Sequence, residues 1–147
     1  MTPYTLSDQD RLWLDGVWEK LQRKMAAQAD RVGDKIPYTT ENGLYRKDWG
    51  EGKDVYWWTN GFWPGMLWQM YHATKDEKYR KYAESVEQRL DKALHGFEGL
   101  HHDVGFMWLH SAVANYRLTG NEQSKTRGLQ AASILAGRYN PRGRFIR

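Results

Sequence analysis

The sequence lacks several features that would assign it to common protein classes. It contains no cysteine, which excludes a disulfide framework, a thiol nucleophile and a cysteine-based metal site. Every apolar run is shorter than the roughly 18 residues that a membrane-spanning helix needs, and residues 1–10 lack the apolar core of a signal peptide. From these absences we expect a cytoplasmic protein that does not bind a membrane.

The sequence also has no strong excess of one charge. Lys and Arg number 22 and Asp and Glu number 18, so the net charge of +4 is small, and the charges are scattered. This pattern supports nucleic-acid binding only weakly, so we expect none, and it would equally suit an anionic small substrate. The length of 147 residues predicts one domain, residues 1–147, with no internal boundary and a real core.

Aromatic residues, by contrast, are abundant: eight Trp, nine Tyr and four Phe. One interpretation is a surface on which flat rings stack against sugars or bases, and the other is bulky packing in the core. Trp57, Trp63 and Trp68 are interpreted as core residues, because helical spacing buries some of them whatever the function.

Periodicity predicts five helices. Ser7 is a candidate cap for the first, which should end near Ala29 and bury one apolar stripe: Leu14, Val17, Trp18, Leu21 and Met25. The residues from Asp30 to Tyr56 lose this periodicity, and their aromatic residues favour an ordered loop that packs.

The second helix should begin between Trp57 and Trp68, with Thr59 or Asn60 as its cap. Thr74 and Glu77 have the spacing of a capping box for the third helix, whose apolar stripe is the strongest in the sequence: Tyr79, Tyr82, Ala83, Val86, Leu90, Ala93 and Leu94. The fourth and fifth helices are predicted from two further stripes: Phe106, Leu109, Val113 and Tyr116, and then Leu129, Ala132, Leu135 and Tyr139.

The segment from Tyr71 to Glu77 is repeated from Tyr116 to Glu122, with Tyr, Thr and Glu matched at an offset of 45 residues. A Gly-Phe pair precedes each copy. This pattern predicts an all-α fold of repeated αα-hairpins, which stack because no hairpin buries its apolar face alone. The helix starts in successive hairpins should lie at the same end of the array and share one cleft.

His101, His102 and Asp103 stand between a glycine-bounded turn and an apolar run. Asp103 lies where a helix begins, so one interpretation is a simple N-cap. The other is an acid or base whose carboxyl group is oriented by the free backbone N–H groups of the helix start.

Two motifs, Trp57-Trp58-Thr59-Asn60-Gly61-Phe62-Trp63-Pro64-Gly65 and His101-His102-Asp103-Val104-Gly105-Phe106, resemble those of the unsaturated glucuronyl hydrolases, glycoside hydrolase family 88. The resemblance covers nearly the whole chain. It implies the first part of an (α/α)6 barrel. It also implies removal of a 4,5-unsaturated uronic acid from oligosaccharides made by polysaccharide lyases, by hydration of the vinyl ether double bond.

The resemblance also implies roles for single residues. Asp103 matches one of two essential aspartates, His102 a substrate-contacting histidine and Trp58 a stacking tryptophan; Asn60 is expected to bind substrate as well. The partner is an unsaturated uronyl oligosaccharide, and neither a cofactor nor a metal is expected.

The family's second essential aspartate lies beyond the last residue, Arg147. We therefore expect an N-terminal portion of the toroid that is inactive alone and self-associates through an exposed inner face: Phe62, Met66, Phe106 and Val113. The alternatives are a non-catalytic helical-repeat module that binds carbohydrate or a protein, and a metal site at His101, His102 and Asp103.

Overall fold

The computed structural model describes residues 5–147. Residues 1–4 belong to the N-terminal stretch in which no signal peptide is expected, and they lie outside the described residues. The chain divides into two compact units, Met1–Arg31 and Val32–Arg147. The expectation of a single domain without a boundary stays a prediction. No described helix combines the length and the apolar character needed to cross a membrane.

The first unit is one helix, α1, Asp8–Val32. Ser7 caps it as predicted, because the Ser7 Oγ accepts a hydrogen bond from the Asp10 backbone N–H at 3.1 Å and donates one to the Asp10 Oδ2 at 2.7 Å. The predicted burial of its apolar stripe is wrong: Leu14, Val17 and Leu21 are 41%, 43% and 45% exposed.

The second unit contains two helical hairpins and a short β-hairpin. Its elements are two 3-10 turns, Asp54–Tyr56 and Trp58–Gly61, then α2 Phe62–Thr74, α3 Glu77–Gly96, α4 Val104–Trp108, a π-helical turn Leu109–Val113, α5 Ala114–Thr119, α6 Glu122–Gly137, β1 Tyr139–Asn140 and β2 Phe145–Ile146. Because α4, the π turn and α5 follow one another without a break, they correspond to the predicted fourth helix. The predicted hairpin pairs are therefore α2 with α3, and α4–α5 with α6.

The tight turns of the two hairpins have the same geometry, which confirms the internal repeat. Lys75 and Gly120 occupy the left-handed region, with φ of 59° and 76°, and their backbone N–H groups donate to the carbonyls of Tyr71 and Tyr116, both at 2.8 Å. Thr74 is the last residue of α2, and its Oγ1 donates to the Met70 carbonyl at 2.7 Å.

The capping residues differ from those predicted. Asp76 caps α3, since its Oδ1 accepts from the Lys78 N–H at 2.9 Å, and Asn121 caps α6 in the same way through the Gln123 and Ser124 N–H groups. The threonines belong to the preceding helices because a left-handed residue intervenes, so the Thr-x-x-Glu pattern marks the whole turn.

Apolar packing confirms the third stripe and corrects the fifth. On α3, six of the seven predicted residues are at most 3% exposed: Tyr79, Ala83, Val86, Leu90, Ala93 and Leu94. On α6, Leu129 is 62% exposed, and the buried residues are the small Ser124, Gly128 and Ala131. These small side chains let α6 lie close to the π-helical turn Leu109–Val113. A Cβ at position 128 would lie 2.8 Å from the Val113 Cγ2.

A buried polar network ties α3 to the second hairpin. Glu87, 1% exposed, accepts hydrogen bonds from the Asn115 Nδ2 at 2.8 Å, the Ser124 Oγ at 2.6 Å and an Arg127 guanidinium nitrogen at 3.0 Å. Arg127 also forms two bonds of 2.6 Å with the Asp91 carboxylate. Every charge in the network has a partner, so burial of Glu87 is tolerated.

Two glycines allow α2 to lie directly against the helix that carries the His-His-Asp motif. A Cβ at Gly61 would lie 2.1 Å from the Phe106 carbonyl oxygen, and one at Gly65 would lie 2.9 Å from the Cβ of His110. The Gly-x-x-x-Gly spacing in Gly61-Phe-Trp-Pro-Gly65 therefore sets the separation of the two inner helices, and with it the positions of both motifs.

Candidate active site

Asp103 lies directly before α4, where the main chain turns into the helix. Its backbone carbonyl accepts from the Phe106 N–H at 2.9 Å, but its side chain makes no capping hydrogen bond. The N-cap interpretation is therefore not supported by the geometry. The carboxyl group, 25% exposed, instead faces two imidazoles.

The Asp103 Oδ2 lies 3.4 Å from the His101 Nδ1 and 3.6 Å from the His102 Nε2. Both distances exceed a normal hydrogen bond. The Asp103 backbone N–H donates to the His101 Nδ1 at 3.2 Å. His102 is the more open imidazole, with 62% of its side chain exposed.

Trp58 lies near Asp103, at the first residue of the 3-10 turn Trp58–Gly61. Its half-buried ring contacts those of Phe106 and Phe62, with centroid separations of 5.5 and 5.8 Å. Trp58 and Asp103 border the same small gap between side chains, and its other neighbours are Tyr56, Gly99, Leu100, His101, Val104 and Met107. The two motifs therefore lie side by side, and the expectation that they share a substrate cleft stays a prediction.

Ring contacts continue from Trp58 in both directions. On one side Phe62 stacks on His110, with centroids 5.3 Å apart. On the other side Trp57 contacts Trp58 at 6.4 Å. The core interpretation is confirmed for Trp63 and Trp68, 3% and 1% exposed, but it is wrong for Trp57, which is 38% exposed.

The apolar inner face is exposed as expected at three of its four predicted residues. Phe62, Met66 and Phe106 are 37%, 43% and 42% exposed, as anticipated. Val113 is instead half-buried towards Gly128 of α6, and Leu109, 51% exposed, adds to the open surface. The π-helical turn that begins at Leu109 differs from the regular α-helical spacing on which the expectation for Val113 rested.

Asn60 is buried behind this surface, with no exposed area. Its Nδ2 donates to the backbone carbonyls of Asp54 at 2.9 Å, Val55 at 3.1 Å and Trp49 at 3.4 Å. In this structure Asn60 holds the loop that precedes the site, and it supports Trp58 from behind. Its expected contact with substrate stays a prediction.

The loop is also fixed by Asp48, a residue that sequence patterns did not single out. Its Oδ1 accepts from the Ile36 and Gly50 N–H groups at 3.0 and 2.9 Å, and its Oδ2 pairs with Arg89 of α3 at 2.7 Å. Burial alone would raise the pKa of Asp48, but these backbone hydrogen bonds and the Arg89 guanidinium hold it below its ordinary value. The carboxylate is therefore charged at neutral pH and clamps the loop to the hairpin.

Among the residues that the structure describes, His101, His102 and Asp103 form the group suited to holding a metal ion. Their ligand atoms lie within 4.8 Å of one another. Three consecutive residues seldom bind the same ion, and the His101 Nδ1 already accepts a backbone hydrogen bond. The expectation that no metal or cofactor is used stays a prediction.

Comparison with known proteins agrees with this fold. The chain is 32% identical over 130 residues to the unsaturated chondroitin disaccharide hydrolase of Streptococcus agalactiae, covering 87% of this chain and 31% of that protein. It is 35% identical over 119 residues to the unsaturated glucuronyl hydrolase of a Bacillus species, covering 78% of this chain and 29% of the relative. No family model matches the sequence.

A solved structure extends the match to the backbone. A variant of the Streptococcus agalactiae unsaturated glucuronyl hydrolase complexed with dGlcA-GalNAc6S superposes with a TM-score of 0.75 at 28% identity, covering 94% of this chain and 35% of that one. The fold is thus that of helical-hairpin enzymes with (α/α)6 barrels. The chain belongs to the unsaturated glucuronyl hydrolases, glycoside hydrolase family 88, and it spans about 30% of the length of the curated relatives it matches.

Proposed function

We propose that this chain is part of a glycoside hydrolase that removes a 4,5-unsaturated uronic acid from oligosaccharides released by polysaccharide lyases. The supporting observation is the position of the Asp103 carboxyl group, which faces two imidazoles and lies close to Trp58. A carboxyl group at the start of an inner helix, beside an aromatic ring, suits acid–base chemistry on a sugar.

The proposed reaction adds water across the carbon–carbon double bond of the unsaturated uronate. One vinyl carbon takes a proton, and the hydroxyl of a deprotonated water molecule bonds to the other. The resulting product opens its ring, and the remaining sugar leaves as the alcohol. Asp103 is assigned one half of the proton transfer, which needs a second acid–base group as its partner.

His102 and Trp58 are proposed to bind the substrate. The exposed imidazole of His102, 62% exposed in its side chain, is placed to hydrogen-bond a carboxylate or hydroxyl of the sugar next to Asp103. Trp58 offers an aromatic face, which stacks well on a pyranose ring. Asn60 acts on substrate indirectly, since its amide holds the carbonyls of the loop behind Trp58.

The names of the relatives indicate which substrate to try first. One is an unsaturated chondroitin disaccharide hydrolase, and the solved neighbour holds dGlcA-GalNAc6S. We therefore propose an unsaturated chondroitin disaccharide as the substrate. The expected cytoplasmic location and the absence of nucleic-acid and membrane partners remain part of this proposal.

Self-association is proposed for the chain as given. Four apolar side chains of the inner helices, Phe62, Met66, Phe106 and Leu109, are 37% to 51% exposed. Removing such apolar surface from water contributes about 25 cal/mol per Å2 to the free energy of association, so covering these side chains with a second copy of the chain would be favourable. Light scattering checks this, and a well-dispersed monomer of 17.3 kDa would contradict it. Inactivity of the isolated chain also remains an expectation.

The function is tested by following the ultraviolet absorbance of the double bond in a full-length version of the enzyme. We expect the absorbance of an unsaturated chondroitin disaccharide to fall as free sugar appears. The saturated disaccharide is the control and should release nothing. Release from both sugars would indicate ordinary hydrolysis at the anomeric carbon, and binding without release would indicate a carbohydrate-binding module.

A further inference from the structure

Three aromatic residues that precede Trp58 in the sequence form a cluster, and the proposed chemistry does not use them. Tyr38 lies 4.3 Å from Trp49 and 5.7 Å from Trp57, and Trp49 lies 6.0 Å from Trp57, all measured between ring centroids. We call Tyr38, Trp49 and Trp57 the aromatic cluster. Its last member contacts Trp58 at 6.4 Å, so the cluster is continuous with the candidate active site.

The cluster is packed on one side and open on the other. Tyr38 and Trp57 keep 40% and 38% of their surface exposed although each touches two or more neighbouring rings. Rings that served only as a loop core would bury these surfaces. Exposed, mutually supported aromatic faces beside an active site are typical of ligand-binding surfaces.

The backbone beneath the cluster is held in place. The Trp49 N–H donates to the Ile36 carbonyl at 2.9 Å, and the Trp57 N–H donates to the Asp54 carbonyl at 3.0 Å. The clamp between Asp48 and Arg89 and the amide of Asn60 fix the same loop from below. Because the rings are already ordered, a ligand that stacks on them loses little conformational entropy from the protein.

An ion pair with an exposed ammonium lies at the outer end of the cluster. The Lys47 ammonium lies 4.7 Å from the centre of the Trp49 ring and 2.7 Å from the Asp54 Oδ2. Its side chain is 57% exposed, so the ammonium presents donors to solvent while Asp54 orients it. The three rings are tilted by 50° to 74° against one another, so each offers its own exposed surface to a sugar. The Lys47 ammonium beside them can donate to a sugar carboxylate or sulfate.

We propose that the aromatic cluster is a second sugar-binding subsite, which takes the sugars on the leaving-group side of an unsaturated uronyl oligosaccharide longer than a disaccharide. The inference rests on the proposed function, because it needs the unsaturated uronate at Asp103 and Trp58. The subsite would make the protein prefer a tetrasaccharide to a disaccharide.

The test is calorimetric binding of unsaturated chondroitin disaccharide and tetrasaccharide to the 147-residue chain. We expect the tetrasaccharide to bind about tenfold more tightly, a difference of about 1.4 kcal/mol. Trp57→Ala should bring the ratio of the two affinities close to one, whereas Trp58→Ala should weaken both sugars. Tyr139→Ala, which removes an aromatic side chain 52% exposed in β1, is the matched control and should keep the ratio.

Trp57→Leu removes the aromatic face but keeps more apolar volume than alanine does, so it repeats the test if the alanine variant loses its melting transition. A tetrasaccharide preference that survives in both Trp57 variants would overturn the subsite. Equal affinities in the unsubstituted chain would also overturn it, with the proposed function intact. Failure of both sugars to bind the unsubstituted chain would likewise overturn the subsite, whereas the proposed function is rejected separately, by a lack of turnover in the absorbance assay.

Discussion

Replacing Gly61 with alanine tests how the two inner helices set the site. The added Cβ would lie 2.1 Å from the Phe106 carbonyl oxygen and 2.5 Å from that of Met107. An ordinary carbon–oxygen contact is about 3.3 Å or more, so the helices must separate by about 1 Å. Both obstructing atoms belong to backbone, which cannot rotate away. The Gly61 backbone has φ of −79° and ψ of −16°, which alanine adopts freely, so the penalty is steric alone.

Overpacking of this kind costs up to about 3 kcal/mol of unfolding free energy. For a chain of this length, that loss lowers the melting temperature by roughly 6 to 12 °C. Circular dichroism melts of purified variants measure it. Gly16→Ala is the control, because nothing lies within 4 Å of its Cβ and alanine is the better helix former. Equal melting temperatures for Gly61→Ala and the unsubstituted chain would refute the close-packing argument.

Three further predictions concern separate parts of the second unit. Glu87→Ala removes a carboxylate with three buried partners, so urea titration should show a loss of about 3 kcal/mol, and a loss below about 1 kcal/mol would contradict the network. Asp48 has a pKa below its ordinary value of 3.8, so its contribution to stability is present at neutral pH and is lost as the pH falls below that value. Asp48→Asn should flatten the acid limb of a stability–pH curve, and an unchanged limb would exclude the Arg89 clamp. Trp58→Ala should weaken sugar binding by about 1 to 3 kcal/mol and lower the melting temperature less; the opposite ranking would make Trp58 a core residue.

The sequence predicted the hairpins because their signals are local. The stripe on α3 and the matched turns at Thr74 and Thr119 depend on residues within a few positions of one another. The burial of Leu14 and Leu129 was predicted wrongly because periodicity shows which residues share a face, not whether another element covers that face. Small residues such as Gly128 carry no hydrophobic signal, although they determine the face on which α6 packs.

The candidate site was predictable only in part, for the same reason. Asp103 and Trp58 could be identified from their motifs, and the internal repeat predicted the same end of the array for both, which agrees with their position beside one small gap. The pairing of Asp48 with Arg89, 41 positions later, has no counterpart in local sequence. The exposure of Trp57 depends on how the whole loop folds, and helical spacing alone misassigned it to the core.

The central claim is that Asp103 transfers a proton and does not simply cap a helix. Its side chain makes no capping bond, so Asp103→Asn should leave the melting temperature within about 1 °C, because the substitution keeps the size and shape of the half-buried side chain and removes no hydrogen bond of normal length. The matched control is Asp76→Asn, which keeps a good capping residue on α3 and changes no group of the site.

The decisive measurement is the loss of double-bond absorbance from an unsaturated chondroitin disaccharide, followed in a full-length version of the enzyme. We predict that Asp103→Asn lowers the rate at least about a hundredfold, the usual range for removal of a positioned acid or base, while Asp76→Asn retains it. Unchanged turnover by Asp103→Asn, with the control equally active, would contradict the account.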